Sequence, residues 1–389
     1  MRILLIMNLG YSAGGAEKSV LLMKTELQSR GHIVSILTTD KLPSGKVSFA
    51  DITITSINAL GLAKFIKYSW YEKGRRQVKA AIKSFRPDVI HIHTIGDFSP
   101  SVLWSFSKKI PAVMTVHGPE GFVRKLLPWQ LQASDYKNHS YNPADRTLTG
   151  WLRYSYFLGV QRPLYKMGIR RLKKVIAPSK FMFEVLHTDV PTSKLLQLYN
   201  GIELPVQQPV PSNNNILYVG RLEAVKGIAD LLDAMRFVAK KIPSARLIIV
   251  GDGEDRPRLE ALAVEAKLDC VQFAGWIKPA DTPAYYSKVA LLVIPSIWPE
   301  NLPTVALEAL GTGRAIIGTN VGGIPELVQN GVNGYIVPSS DPKALAAAIV
   351  ILLNDKKLLH DMGTQSAAFA KMFAIKTFID RLESLYQSL

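Results

Sequence analysis

The 389 residues predict an α/β protein of two doubly wound parallel-sheet domains, on three observations. The length exceeds one ordinary domain and suits two of nearly equal size. Short apolar, strand-like runs alternate with amphipathic helical stretches along both halves, the pattern of repeated βα units. A segment rich in Pro, Gln and Asn near residues 200–215 separates the halves.

In the first half, Ile3 to Met7 reads as a buried strand, Ala16 to Arg30 as a helix and Ile33 to Leu37 as a second strand. The alternation resumes with a helix from Gln77 to Phe85, a strand from Val89 to His93, a helix after Pro100 and a strand from Ala112 to Val116. Residues Glu120 to Asn142 lose any period and read as an irregular excursion. A helix from Trp151 to Leu172 and a strand from Val175 to Ala177 follow. In the second half the strands are Ile216 to Val219, Arg246 to Val250, Val271 to Ala274, Leu291 to Ile294, Ala315 to Gly318 and Gly334 to Val337. The expected domains are therefore 1–200 and 201–371, with an amphipathic helix over 372–389. Two such sheets facing each other would leave a ligand cleft at the carboxyl ends of their strands.

Composition narrows the function classes. Hydrophobic residues make up 48% and charged residues 20%, as in a globular protein. The run after Met1 and Arg2 ends at Asn8 and Gly10, too early for a signal core or a membrane span. A single cysteine, Cys270, excludes an intrachain disulfide and a cysteine metal cluster, so a reducing cytoplasm is the expected location. The net charge of +16 is unevenly spread: residues 1–200 hold 29 Lys and Arg against 12 Asp and Glu, and residues 201–389 hold 18 against 19. An anionic partner for the first half follows, whether nucleic acid, phosphorylated glycan or lipid surface.

Four segments could carry chemistry. Gly14-Gly15 opens the first helix, where backbone N–H groups could approach an anion or simply form a flexible turn. In the second half Gly220-Arg221-Leu222-Glu223-Ala224-Val225-Lys226-Gly227 follows a strand and places two cations on one loop, which suits a diphosphate. Trp298 to Leu310 contains Glu300 in a loop, Asn301 and Leu302, Pro303 suited to a first helical turn, Thr304 and Val305, and Glu308 over one turn further on. A helix start there can hold phosphate, while carboxylates accept sugar hydroxyl pairs. His117 stands at a strand end before Gly118. His91 and His93 lack a third ligand at useful spacing and read as structural or cleft-lining.

Taken in order, these motifs resemble the retaining GT-B glycosyltransferases, family 4. Glu300 and Glu308 match the family's EX7E motif, Arg221 and Lys226 its GR-L-x-x-x-KG loop, and Gly14-Gly15-Ala16-Glu17 its N-terminal GGAE loop. Gly251-Asp252-Gly253, Gly275-Trp276 and Gly322-Gly323-Ile324-Pro325-Glu326 extend the likeness over nearly the whole chain. The resemblance implies two Rossmann-like domains and a last helix that crosses back onto the first. It implies that Arg221 and Lys226 neutralise the donor diphosphate without a metal, which the absence of a DxD motif accommodates. Glu300 would bind hydroxyls of the transferred sugar and Glu308 the ribose. Gly275 and Ile277 would border the base, and Asn301, Leu302, Thr304 and Val305 would complete the donor site. Gly14, Gly15 and His117 would stand on the acceptor side, Gly15 near the phosphates. Paired carboxylates also suit a glycosidase, but the cationic loop argues against one. A nucleotide-sugar 2-epimerase of the same fold, or a non-catalytic nucleotide-sugar-binding protein, is the alternative reading.

On the acceptor side, Lys64 to Arg86 interleaves eight cations with Phe65, Tyr68, Trp70 and Tyr71, and Trp151 to Lys174 holds seven cations and no acid. Such stretches suit the headgroup region of an anionic membrane. No helix-turn-helix, RRM-like or zinc pattern points to nucleic acid. The sequence thus leads to a hexosyltransferase acting from a nucleotide-diphosphate sugar on a lipid-linked or phosphorylated glycan, without cofactor and peripheral on the inner membrane face.

Overall fold

A computed structural model describes residues 1–11, 14–59, 61–118, 148–278 and 281–389. It divides into two compact units, Met1–Gly201 with Ile375–Leu389, and Ile202–Ala374.

The first unit is built on β1 (Arg2–Ile6), β2 (Ile33–Thr39), β3 (Ile52–Ile54), β4 (Val89–Ile92), β5 (Ala112–Thr115), β6 (Lys174–Ala177) and β7 (Leu195–Gln197). All pair in parallel, in the order β3-β2-β1-β4-β5-β6-β7. Because side chains alternate along a strand, Leu4 and Ile6 face a core with Ile90, Ile92 and Met114. Ile3 and Leu5 face the opposite core with Val113 and Ile176. Burial on both faces is why these strands are continuously apolar. The order reverses between β1 and β4, which places the unit's ligand-binding end at the loops after those two strands.

The last helix, Ile375–Gln387, closes the second of those faces. Its residues Phe378, Ile379 and Leu382 are buried with Val20, Met23 and Leu27 of helix Gly15–Ser29. Each such side chain contributes roughly 1.5–3 kcal/mol by leaving water. At the rim, Arg30 Nη1 lies 2.6 Å from Asp380 and 2.7 Å from Glu383, and His32 Nε2 lies 2.6 Å from Glu383 Oε1. Inside, the Tyr386 hydroxyl meets His91 Nδ1 at 2.6 Å.

The second unit carries β8 (Asn215–Val219), β9 (Arg246–Val250), β10 (Val271–Gly275), β11 (Leu291–Ile294), β12 (Ala315–Thr319) and β13 (Gly334–Val337). Their order is β10-β9-β8-β11-β12-β13, again parallel, with its reversal between β8 and β11. The Pro-rich segment entering this unit is pinned by Arg314, whose side chain is wholly buried. Its guanidinium donates to the carbonyls of Tyr286, Gln208 and Pro209 at 2.8, 3.0 and 2.9 Å, and burial lowers its pKa to about 10.

Several expectations shift. The units divide after Gly201 rather than Asn200, and the final helix begins at Ile375 rather than Met372. The reason is local: a 3-10 turn over Lys371–Phe373 precedes it, and Ala374 bridges Ile202. The helix expected after Pro100 is a five-residue 3-10 segment, started by Ser99 at φ 58 with its side chain accepting from Ser101 N. The single helix expected over Trp151 to Leu172 is Leu148–Tyr156 and Arg162–Ile169, joined by a π-helical Phe157–Gln161. Helix Gly61–Ser69 is a further element, and strands β3 and β7, each of three residues, carry too little periodicity to stand out. The excursion assigned to Glu120 to Asn142 lies outside the described residues.

Glu383 supplies a pH test. Burial favours its protonated form, but hydrogen bonds from His32 and Arg30 outweigh that and hold its pKa below the usual carboxylate value of 4.5. A depressed carboxylate stabilises the fold above its unfolded pKa, and that contribution is lost as pH falls through the folded one. We therefore expect wild-type stability, followed by urea unfolding, to drop below pH 4.5 more steeply than that of Glu383→Gln.

Candidate active site

The second unit's site is assembled where β8 and β11 end side by side. The loop after β8 turns through a 3-10 segment, Ala224–Lys226, into helix Ile228–Lys241. Gly227 makes this possible twice over: its φ is +68°, and a Cβ there would stand 2.0 Å from the Pro295 carbonyl oxygen. Ile297 and Trp298 then both donate their N–H groups to the Val225 carbonyl at 3.0 Å. The two loops are thus joined through their backbones before any side chain acts.

Across this seam Lys226 Nζ donates to Glu300 Oε1 at 2.6 Å, and Ser296 Oγ donates to the same oxygen at 3.0 Å. Both partners of the ion pair are largely shielded, at 18% and 17% side-chain exposure. A third loop fixes Glu300 from behind. Gly323 N donates to the Glu300 carbonyl at 2.6 Å, and Gly322, at φ +58°, lies so close that a Cβ would come 2.3 Å from that oxygen. Arg221 is half-exposed, with Nη1 2.8 Å from Oε1 of the buried Glu223. Tyr218 adds a hydrogen bond from its hydroxyl to the Arg221 carbonyl at 2.9 Å.

Helix Thr304–Gly311 follows. Pro303 is its N-cap, with ψ at 116°, rather than a residue of the first turn, so Thr304 and Val305 supply the first helical N–H groups. Those groups and the helix dipole suit an anion. Asn301, Leu302, Thr304, Val305 and Glu308 are all half-buried. Glu308, on the second turn, accepts from the Tyr286 hydroxyl at 3.3 Å, and that hydroxyl is also 3.0 Å from the Val305 carbonyl. Burial raises the Tyr286 pKa well above 10, so the phenol is a neutral donor. Gly275 ends β10 at φ +73° with its carbonyl accepting from Gly251 N at 2.8 Å, and Ile277 is half-buried just beyond.

The remaining site residues belong to the first unit. Gly14 and Gly15 are exposed at the start of helix Gly15–Ser29, with Gly14 in an extended conformation as the N-cap. Glu17 reaches back to hydrogen-bond the Gly14 backbone, and its burial raises its pKa. His117 belongs to a column of histidines: its Nε2 is 2.9 Å from His93 Nδ1 and its Nδ1 is 3.4 Å from Asn200 Nδ2. His93 in turn stacks on His91, with ring centroids 4.1 Å apart. Burial lowers the His117 pKa to about 4 and that of His91 to about 3, so both are neutral at pH 7. His91 is held between the hydroxyls of Tyr386 and Thr115, which is a structural assignment. Among the described residues no three His, Cys, Asp or Glu side chains are grouped as a metal would require.

Comparison with known proteins gives the family and the fold. The family described as Glycosyl transferases group 1 matches residues 203–369, and Glycosyltransferase Family 4 matches residues 13–205. The chain belongs to the family 4, group 1 glycosyltransferases. A phosphatidyl-myo-inositol mannosyltransferase of Mycolicibacterium smegmatis is 24% identical over 357 residues, covering 89% of this chain and 82% of the relative. Among solved structures, sucrose-phosphate synthase from Thermosynechococcus elongatus superposes with a TM-score of 0.76 at 23% identity, covering 100% of this chain and 98% of that one. Anabaena HepE in complex with UDP gives 0.73 at 20% identity over the full length of both. Both share the GT-B fold.

Within this glycosyltransferase, sequence reasoning missed Ser296 and Tyr286, the side chains that orient Glu300 and Glu308. Neither has a local signal, because each meets its carboxylate only through the fold. The Gly14 to Glu17 contact did have one, the three-residue spacing of a capping box. The backbone seam also yields a prediction. Gly227→Ala must displace the Pro295 carbonyl and adopt positive φ, so we expect a loss of about 2–4 kcal/mol in urea denaturation and a weakened Lys226–Glu300 pair.

Proposed function

We propose that this glycosyltransferase transfers a hexose from a nucleoside-diphosphate sugar, with retention of anomeric configuration and without a metal ion, to a lipid-linked or phosphorylated glycan acceptor. The observation that carries the proposal is the Lys226–Glu300 pair, a cation for the diphosphate joined to a carboxylate for the sugar, at a sheet's switch point. Lys226 and Arg221 balance the charge that develops on the leaving diphosphate, the role a metal takes elsewhere. Glu300 accepts from sugar hydroxyls, Glu308 from the ribose, and the start of helix Thr304–Gly311 binds phosphate. Gly275 and Ile277 border the base. A UDP-bound neighbour, HepE, supports a nucleoside diphosphate as the ligand. Gly14, Gly15 and neutral His117 serve the acceptor side as hydrogen-bonding groups.

The first unit binds an anionic membrane surface at the cytoplasmic face in this proposal. No described helix is long and apolar enough to cross a membrane. Leu148 and Trp151, 74% and 62% exposed, stand with Leu152 on one helix, and Met167 on the next is also exposed. Lys166 lies on that second helix and the exposed Arg170 just beyond it. Apolar side chains beside cations suit the headgroup boundary.

Thermal unfolding in EDTA against UDP, GDP, ADP and their sugar conjugates tests the donor site. One nucleotide should stabilise the wild type and fail to stabilise Arg221→Ala; no response to any would refute the reading. In low salt the protein should sediment with anionic liposomes and stay in the supernatant with neutral ones, and equal recovery in both would exclude the membrane surface.

A further inference from the structure

A cleft of about 370 Å³ lies in the first unit, and none of the candidate donor or acceptor-side residues lines it. It is lined by Thr55, Ser56, Asn58, Lys67, Trp70 and the opening of helix Glu72–Phe85. It is therefore placed by the loop leaving the carboxyl end of β3 and by the turn joining helices Gly61–Ser69 and Glu72–Phe85.

The walls are held in place. Trp70 packs against Trp104 with ring centroids 5.3 Å apart, and its indole N–H donates to Glu72 Oε2 at 3.1 Å. Trp70 as a residue is 36% exposed in this orientation. Tyr71 is buried, its N–H donating to Ser99 Oγ at 2.9 Å and its hydroxyl to the Ser56 carbonyl at 3.3 Å. Its ring lies against Gly74, where a Cβ would come within 2.5 Å of it.

The charge balance is positive. Glu72 is the carboxylate in the lining, and it is already engaged by Arg75, Arg76 and Trp70, which hold its pKa far below the usual carboxylate range. Lys67 donates to a neutral partner, the Asn58 carbonyl, at 3.2 Å. Lys73 is exposed, and among the described residues neither lysine has a carboxylate within ion-pair distance. Two ammonium groups with hydration to exchange, beside hydroxyl and amide groups and an ordered indole face, match one ligand chemistry. Lysines take the phosphate as point charges, and the indole supports the apolar face of a sugar ring.

We propose that this cleft is a subsite for a phosphate-bearing sugar, Lys67 and Lys73 binding the phosphate and Trp70 the ring. This rests on the reading of the protein as a transferase to a phosphorylated or lipid-linked acceptor and gives that acceptor's phosphate a place. The same chemistry is offered by a free sugar phosphate and by an inositol phospholipid headgroup.

The test titrates the full chain with glucose 1-phosphate, with glucose as control, and separately with phosphatidylinositol-containing vesicles against phosphatidylcholine vesicles. Trp70 is read as the fluorescence difference between wild type and Trp70→Phe. A saturable Trp70 signal with glucose 1-phosphate, weakened about tenfold or more in Lys67→Ala/Lys73→Ala, is expected, each charge-assisted bond being worth about tenfold in affinity. A signal with phosphatidylinositol vesicles alone, lost in the double variant, supports the site with a lipid headgroup as its source. An equal response to glucose, or undiminished binding by the double variant, overturns the proposal. Stabilisation by nucleoside diphosphate, unchanged in Lys67→Ala/Lys73→Ala, shows that the variant is folded and keeps failure of this subsite separate from failure of the donor site.

Discussion

The second unit's chemistry depends on backbone contact between the loops leaving β8 and β11. An ammonium and a carboxylate on flexible side chains hold one geometry only when the chains that carry them cannot drift, since a solvated pair gains little over its entropy cost. Here the Val225 carbonyl takes two N–H groups from the opposite loop, and Gly227 removes the one Cβ that would keep the loops apart. From a third loop Gly322 makes the same close approach to the Glu300 carbonyl, and Gly323 to that of Asn301. Three glycines thus convert an ion pair into a fixed feature, and Ser296 completes the coordination of the Glu300 oxygen.

The first unit uses a different device at its own switch point. Its sheet is covered on one face by the chain's last helix, whose Tyr386 delivers a hydroxyl to His91 inside the core. Above it His93 and His117 stack toward the strand ends. Burial keeps the column uncharged, because imidazolium ions in contact would pay both desolvation and mutual repulsion. What His117 offers is therefore a neutral hydrogen-bonding edge on a rigid support. Polar groups of this kind are tolerated in a core when partners occupy them, and Thr115 and Tyr386 do so for His91.

The basic excess of the first half has structural company. Many of its cations lie on or next to helices Gly61–Ser69, Glu72–Phe85 and Arg162–Ile169. Some are spent internally: Arg162 pairs with the buried Asp189, and Arg75 and Arg76 pair with Glu72. Others, Lys67 and Lys73 among them, meet no carboxylate among the described residues.

The sequence by itself determined the two-sheet architecture, because buried parallel strands must be short, apolar and separated by helices, a pattern visible in Ile3 to Met7 as in Leu291 to Ile294. It also singled out Arg221, Lys226, Glu300 and Glu308 as candidates, since they sit in local contexts of loop and helix start that are visible in the sequence. Elements of three residues, such as β3 and β7, escaped it because so short a run has no period. The pairing of Lys226 with Glu300, of Tyr286 with Glu308 and of Tyr386 with His91 was decided by tertiary structure alone. Those partners lie 74, 22 and 295 residues apart, and contacts at such separations are fixed by strand order and loop packing, which no local pattern encodes.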